Sequence, residues 1–213
     1  MFAVTDPEMG SKGISAFVVP THTPGYEVVR VEKKMGQNAA DTAQLAFNDM
    51  RVPFEALLGE EGQGYRIALS NLEGGRIGIG AQAIGIARAA LEAALDYARE
   101  RHTFGVPISD HQAVAFRLAD MATELEAARQ LVFYAARLKD GGQPSLQQAS
   151  MAKLKATEMA ESVCSDAIQI FGGYGYMEDY PVARLARDAR GTKIYEGAND
   201  IQRLVVSRSL LTG

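Results

Sequence analysis

Cysteine is all but missing from this 213-residue chain: Cys164 stands alone, which excludes an intramolecular disulfide framework. Histidine is scarce too. His22, His102 and His111 show no metal-ligand spacing, and each reads as a surface or helix-end residue, so no metal site is expected. Long apolar runs are also lacking. The weakly polar stretch from Ile77 to Leu95 is interrupted by Gln82, Arg88 and Glu92, side chains too costly for an isolated bilayer-spanning helix, and no membrane segment is expected. The opening residues Met1 to Pro7 carry neither the basic flank nor the apolar run of a signal peptide, which makes the cytoplasm the expected address. There is no excess of charge of either sign: the net value of -4 is small and its carriers are interspersed, so nucleic acid is not an expected partner. Nucleophile elbows, phosphate-binding loops ending in Gly-Lys-Ser or Gly-Lys-Thr, and His-Glu-x-x-His pairs are all missing.

What is present is the composition of a folded globular protein, 47% hydrophobic and 23% charged, which is too apolar for a disordered chain. Up to about Leu58 the pattern predicts short antiparallel strands at residues 14–20, 26–31 and 43–47, separated by Pro, Gly, Asn and Asp turn signals. Three such strands are marginal alone, so this segment reads as an incomplete domain. From about Gly62 the apolar period changes to 3.6. Val114, Leu118, Met121, Leu125, Ala128, Val132, Ala135 and Leu138 mark one stripe of a long helix. Similar patterns predict helices over 65–101 and 145–171, a short one near 182–189 and a last one over 200–211. The expected fold is therefore mainly α: an antiparallel four-helix-type bundle over 59–213, preceded by a partial antiparallel β domain over 1–58.

Two segments invite a chemical reading. The run Gly172-Gly173-Tyr174-Gly175 follows a helix rather than a strand, so a glycine helix cap explains it better than a Rossmann loop. In Lys193-Ile194-Tyr195-Glu196-Gly197-Ala198-Asn199-Asp200 a carboxylate sits among apolar and aromatic residues just before a helix, a setting that makes a carboxylate a stronger base. The plainer reading makes Glu196 a loop residue, Asn199 an N-cap and Asp200 a charge compensating the helix dipole.

This segment resembles the Ile-Tyr-Glu-Gly signature of acyl-CoA dehydrogenases, and other matches follow in family order. They include Gly13-Ile14-Ser15-Ala16-Phe17, Lys34-Met35-Gly36, Arg51-Val52-Pro53, Gly75-Arg76-Ile77, Arg101 with Thr103-Phe104-Gly105, His111-Gln112, Gln169 to Gly173, and Arg187-Asp188-Ala189. The resemblance covers essentially the whole chain. It implies FAD-dependent α,β-dehydrogenation of an acyl-CoA, of short or branched chain by the Gly74-Gly75-Arg76 and Gly172 to Tyr176 matches, with an electron-transfer flavoprotein as acceptor and a homodimer or homotetramer as the assembly. Glu196 would abstract the α proton. Arg101, Thr103, His111, Gln112, Gln169, Ile170, Phe171, Gly172, Gly173, Ala198, Asn199 and Asp200 would meet FAD, and Glu73, Arg76 and Gly197 the substrate. Members that place the base on the first long helix do so at the position of Gly75, so Glu196 is the expected sole base. After the Glu-Gly pair the family commonly has Thr where this chain has Ala198, a lost hydroxyl worth about 1 kcal/mol. The resemblance also implies that family members carry an amino-terminal helical domain and a Trp-containing, flavin-contacting strand ahead of this segment, and no tryptophan occurs here. A non-catalytic remnant or interaction module, and a related acyl-CoA oxidase, are the alternative readings.

Overall fold

The computed structural model describes residues 1–212, which form two compact units. One comprises Met1–Lys34 and Asn38–Leu72; the other comprises Met35–Gln37 and the chain from Glu73 onward. In the first unit β2 (Ile14–Phe17) lies between β1 (Phe2–Val4) and β5 (Leu57–Leu58), antiparallel to both, with Ala16 opposite Phe2 and Leu58. Ser15 is fully buried there, and its hydroxyl bonds Thr5 at 2.7 Å and accepts the Gly62 N–H at 2.9 Å. The other two expected strands, β3 (Tyr26–Val31) and β4 (Ala43–Phe47), pair with each other in a separate ribbon with an irregularity between Val28 and Arg30. Val28, Val31, Leu45 and Phe47 remain exposed on it, as a ribbon without a covering layer should leave them.

The second unit is the bundle. Helix α1 (Gly64–Glu100) is followed by a hairpin of β6 (His102–Thr103) and β7 (Val106–Pro107), then α2 (Gln112–Asp140), α3 (Leu146–Phe171), α4 (Pro181–Thr192) and α5 (Asn199–Thr212). The hairpin turn is Phe104-Gly105, both with positive φ (54° and 87°), as a two-residue turn matching the strand twist requires. Short connections at 101–111 and 141–145 return the chain on itself. The core rests on α3: Ala152, Ala156, Ala160, Val163 and Ala167 pack in one cluster with Ala83, Ala87, Ala90, Ala94 and Ala98 of α1. Helix α1 has the length and apolar content of a membrane span, but this alanine face is buried inside the unit, as in the core helix of a bundle.

By its contacts the chain divides between Leu72 and Glu73, because α1 begins against the strands: a Cβ on Gly64 would lie 2.8 Å from the Ile14 carbonyl oxygen. The α2 stripe, whose Leu118, Met121, Ala128, Val132 and Ala135 are buried, packs in the cluster that α3 centres. The chain itself covers these residues.

Met35–Gln37 belongs to the bundle although the strands flank it in sequence. The Gln37 N–H donates to the Asp188 carboxylate at 2.5 Å, and a Cβ on Gly36 would lie 2.6 Å from the Arg187 backbone. Only glycine permits that approach.

Candidate functional site

Between the end of α4 and the start of α5 the backbone turns through two successive left-handed residues, Glu196 at φ 55° and Gly197 at φ 87°. Glycine adopts this region freely, whereas for a glutamate it costs on the order of 1–2 kcal/mol. Side chains from two helices offset that strain. The Gly197 carbonyl accepts from Gln202 Nε2 at 2.7 Å and from Lys153 Nζ at 2.8 Å, and both donors are fully buried. Lys153 donates also to Asn199 Oδ1 at 3.0 Å, an atom that Thr157 Oγ1 reaches at 3.1 Å. Asn199 is therefore not an N-cap. Its side chain turns inward to Lys153 and Thr157, while its N–H donates to the Lys193 carbonyl at 3.0 Å and the Ala198 carbonyl accepts from Ile201 and Gln202.

The turn aims the Glu196 carboxylate at α1. A Cβ on Gly75 would lie 2.5 Å from Glu196 Oε2, so the bare Cα is what leaves the carboxylate its place. Arg76, the next residue, is 7% exposed; its guanidinium donates to Ser150 Oγ at 3.2 Å and its Nε has no partner among the described residues. Burial lowers the Arg76 pKa and Glu73 partly restores it, but an arginine stays protonated in any case. Glu73 accepts the Ser145 hydroxyl at 2.6 Å. Burial, and repulsion from Arg76, push the Lys153 ammonium down to about 8 against the pull of Glu196. Burial raises the Tyr195 hydroxyl, which donates to Gln82 at 2.5 Å. Among the described residues the N–H groups of Glu196 and Gly197 meet no acceptor. The site thus combines a carboxylate, a buried cation with an uncommitted N–H, and free backbone donors.

A second cluster sits at the other end of α3. Arg101, Thr103, Ile170, Phe171, Gly172 and Gly173 line, with Tyr97 and Tyr174, one concavity of about 430 Å³. Phe171 stacks on Tyr97 with centroids 4.1 Å apart. Gly172 caps α3 with φ 61°, its N–H donating to Gln169, as the glycine-cap reading expected. Neither Gly172 nor Gly173 has an atom within 4 Å of where a Cβ would stand, so a ligand can approach the backbone there. Arg101 has no carboxylate partner among the described residues and lies 5.9 Å from the Tyr174 ring. Thr103 Oγ1 bonds His111 Nε2 at 2.8 Å. An unpaired guanidinium, a hydroxyl and glycine backbone beside open space fit the pyrophosphate of a dinucleotide such as FAD.

The residues assigned to FAD thus divide. Gln112 is the first residue of α2, next to His111, and Gln169 is exposed beside the concavity; Ala198, Asn199 and Asp200 line a different depression with Arg190 and Arg203. Asp200 pairs with Arg203 at 3.1 Å on the surface. Glu196, Gly197, Arg76 and Glu73 stand with this second group. From Lys153 to Gly172 the α3 axis covers about 28 Å, which separates the two clusters. Sequence reasoning passed over Lys153, Thr157, Gln202, Ser145 and Ser150. Lys153 left one trace: it falls four residues after Ala149 and before Thr157, in an otherwise small, buried stripe. Cys164 has no such role, since burial pushes its thiol up to about 12.

A bundle of this layout, with a carboxylate turn facing a glycine on its longest helix, defines a class, and residues 62–211 match the family described as acyl-CoA dehydrogenase, C-terminal domain. The chain belongs to that family. It is 54% identical over 212 residues to an acyl-CoA dehydrogenase of Bacillus subtilis, covering 100% of this chain and 56% of the relative. Among solved structures, butyryl-CoA dehydrogenase from Megasphaera elsdenii superposes with a TM-score of 0.96 at 49% identity, over 99% of this chain and 55% of that one. A chain in the structure of the electron transferring flavoprotein of Acidaminococcus fermentans, work directed at flavin-based electron bifurcation, gives 0.98 at 52% identity, over 100% and 56%. This chain therefore spans about half the length of the relatives it matches.

Proposed function

We propose that the chain is the base-bearing part of an FAD-dependent acyl-CoA dehydrogenase in which Glu196 removes the α proton of the thioester. The observation that carries this reading is the Glu196 turn: a strained residue, fixed by buried donors, sets its carboxylate over the bare Cα of Gly75 beside the uncommitted Nε of Arg76. An α proton is held by carbon and is weakly acidic, so its removal needs a base shielded from water and a donor for the charge that develops on the thioester oxygen. The free N–H of Glu196 is such a donor. Arg76 and Glu73 orient the substrate, and Arg101, Thr103 and the Gly172-Gly173 backbone hold the cofactor's phosphates. FAD, when bound, supplies the acceptor for the β hydride.

The substrate we assign is a short or branched acyl-CoA, the electron acceptor an electron-transfer flavoprotein, and the assembly a homodimer or homotetramer. Butyryl-CoA dehydrogenase among the similar structures, and the flavoprotein work with its matching chain, support the first two. The test is Glu196→Gln in the chain joined to the remaining half of a relative such as the Bacillus subtilis protein. Shape and hydrogen bonding are nearly kept while the base is lost. Anaerobic mixing with butyryl-CoA should bleach the flavin about 10² to 10⁴-fold more slowly, with butyryl-CoA affinity little changed. Bleaching at the unmodified rate would return the turn to a plain helix-entry role.

A further inference from the structure

Nothing in the dehydrogenation chemistry asks for a buried lysine, yet Lys153 is fully excluded from solvent and its Nζ ends on the loop that carries Glu196. A lysine is rarely left without exposure, because its ammonium loses hydration that two hydrogen bonds only partly replace. A purely structural need would be met more cheaply by an apolar side chain: the Gly197 carbonyl already has Gln202 Nε2, and Asn199 Oδ1 already has Thr157 Oγ1. What Lys153 adds is a second, independent anchor at each of these atoms, and it joins them. Gly197 is the residue after the base, and Asn199 opens α5. A single Nζ tied to both fixes the spacing between the left-handed turn and the helix that follows it.

We propose that Lys153 is a positioning residue for Glu196: its bonds to the Gly197 carbonyl and the Asn199 amide hold the turn that keeps the carboxylate over Gly75. This rests on the reading of Glu196 as the base. The charged groups around Lys153 are Arg76, from α1, and Glu196, from the turn, and neither bonds it. Its geometric task therefore does not depend on an ion pair. A neutral amine would also serve, since it retains two N–H donors for two acceptors.

The test uses Lys153→Met, which fills the same space, and two measurements. In the 213-residue chain, hydrogen exchange reads the turn directly through the amides of Asn199, Ile201 and Gln202, which donate to Lys193 and Ala198. At pH 7 these amides should exchange on the order of tenfold faster, while protection across α3 does not fall. In the chain joined to the remaining half of a relative, the limiting rate of flavin reduction by butyryl-CoA should fall about tenfold or more with its dissociation constant moved less than about twofold, since a displaced base costs rate and not ground-state binding. If the Met variant is recovered unfolded, Lys153→Leu, which likewise has no donor, carries the same measurements. Unchanged exchange at the turn overturns the proposal, as does an unchanged limiting rate. If the unmodified flavoprotein is not reduced by acyl-CoA at all, the functional reading fails while the exchange result still decides whether Lys153 holds the turn.

Discussion

Where α3 passes beneath the Glu196 turn its Lys153 and Thr157 are polar, buried and committed, bonded to the turn or to Asn199 of α5; where it ends, at Phe171, the surroundings are aromatic, capped by glycine and open. Hydrogen bonds fix the first end because one carboxylate must stay in a strained place. At the second end, rings and missing side chains shape a surface that leaves room for something else. A single helix thus carries a hydrogen-bonded end and an open one. On the proposed function, the rigid end positions the base and the open end lets a cofactor approach the Gly172-Gly173 backbone.

Three measurements separate the ends, in falling order of effect. Phe171→Ala should lower the unfolding free energy in urea by about 3–5 kcal/mol, because it removes a buried ring stacked on Tyr97 and packed on Tyr180. A loss under about 1 kcal/mol would mean that the aromatic cluster does not anchor that end. The second measurement is the pH dependence of stability. Lys153 is held at about 8 in the folded chain against an ordinary 10.5. Between these values the unfolded chain binds a proton that the folded chain does not, so stability gains with rising pH, by at most about 1.4 kcal/mol per pH unit. Below pH 8 both states are protonated and the burial penalty is fully felt. The stability of the unmodified chain relative to Lys153→Met should therefore climb from pH 7.5 to 9.5; a constant difference would show that the lysine keeps its ordinary affinity for the proton.

The smallest effects come from two glycines. Gly75→Ala should cost on the order of tenfold in flavin reduction, since its Cβ would crowd Glu196 Oε2. The same change should stabilise α1 by up to about 1 kcal/mol through helix propensity. Gly173→Ala, with open space at its Cβ, should alter stability by less than about 0.5 kcal/mol and weaken only FAD affinity. Were Gly173→Ala to bind FAD as tightly as before, the cradle would lie elsewhere.

The helices were legible because their buried faces repeat. The expected spans 65–101, 145–171 and 200–211 lie within about one residue of α1, α3 and α5. Strands β1 and β5, three and two residues long, are too short for alternation to register. The motif residues fell in two places because a motif records order along a chain, whereas a 26-residue helix carries its ends far apart. Asn199 was misread as a cap because its position before a helix satisfies that rule equally well; only the inward turn of the side chain toward Lys153 decides. Lys153 itself hid in a stripe whose other members are small, where one charge looks like noise.

The clasp of Gln37 by Asp188 has a consequence for recombining relatives of this family. A chimera joined at 58/59 or at 72/73 takes its helices from one parent and Met35–Gln37 from the other. Its crossover therefore parts a donor from its acceptor, and a larger residue at 36 from the second parent would strike the Arg187 backbone. Three residues of the upstream parent have to travel with the bundle as a graft, or the seam falls in the wrong place.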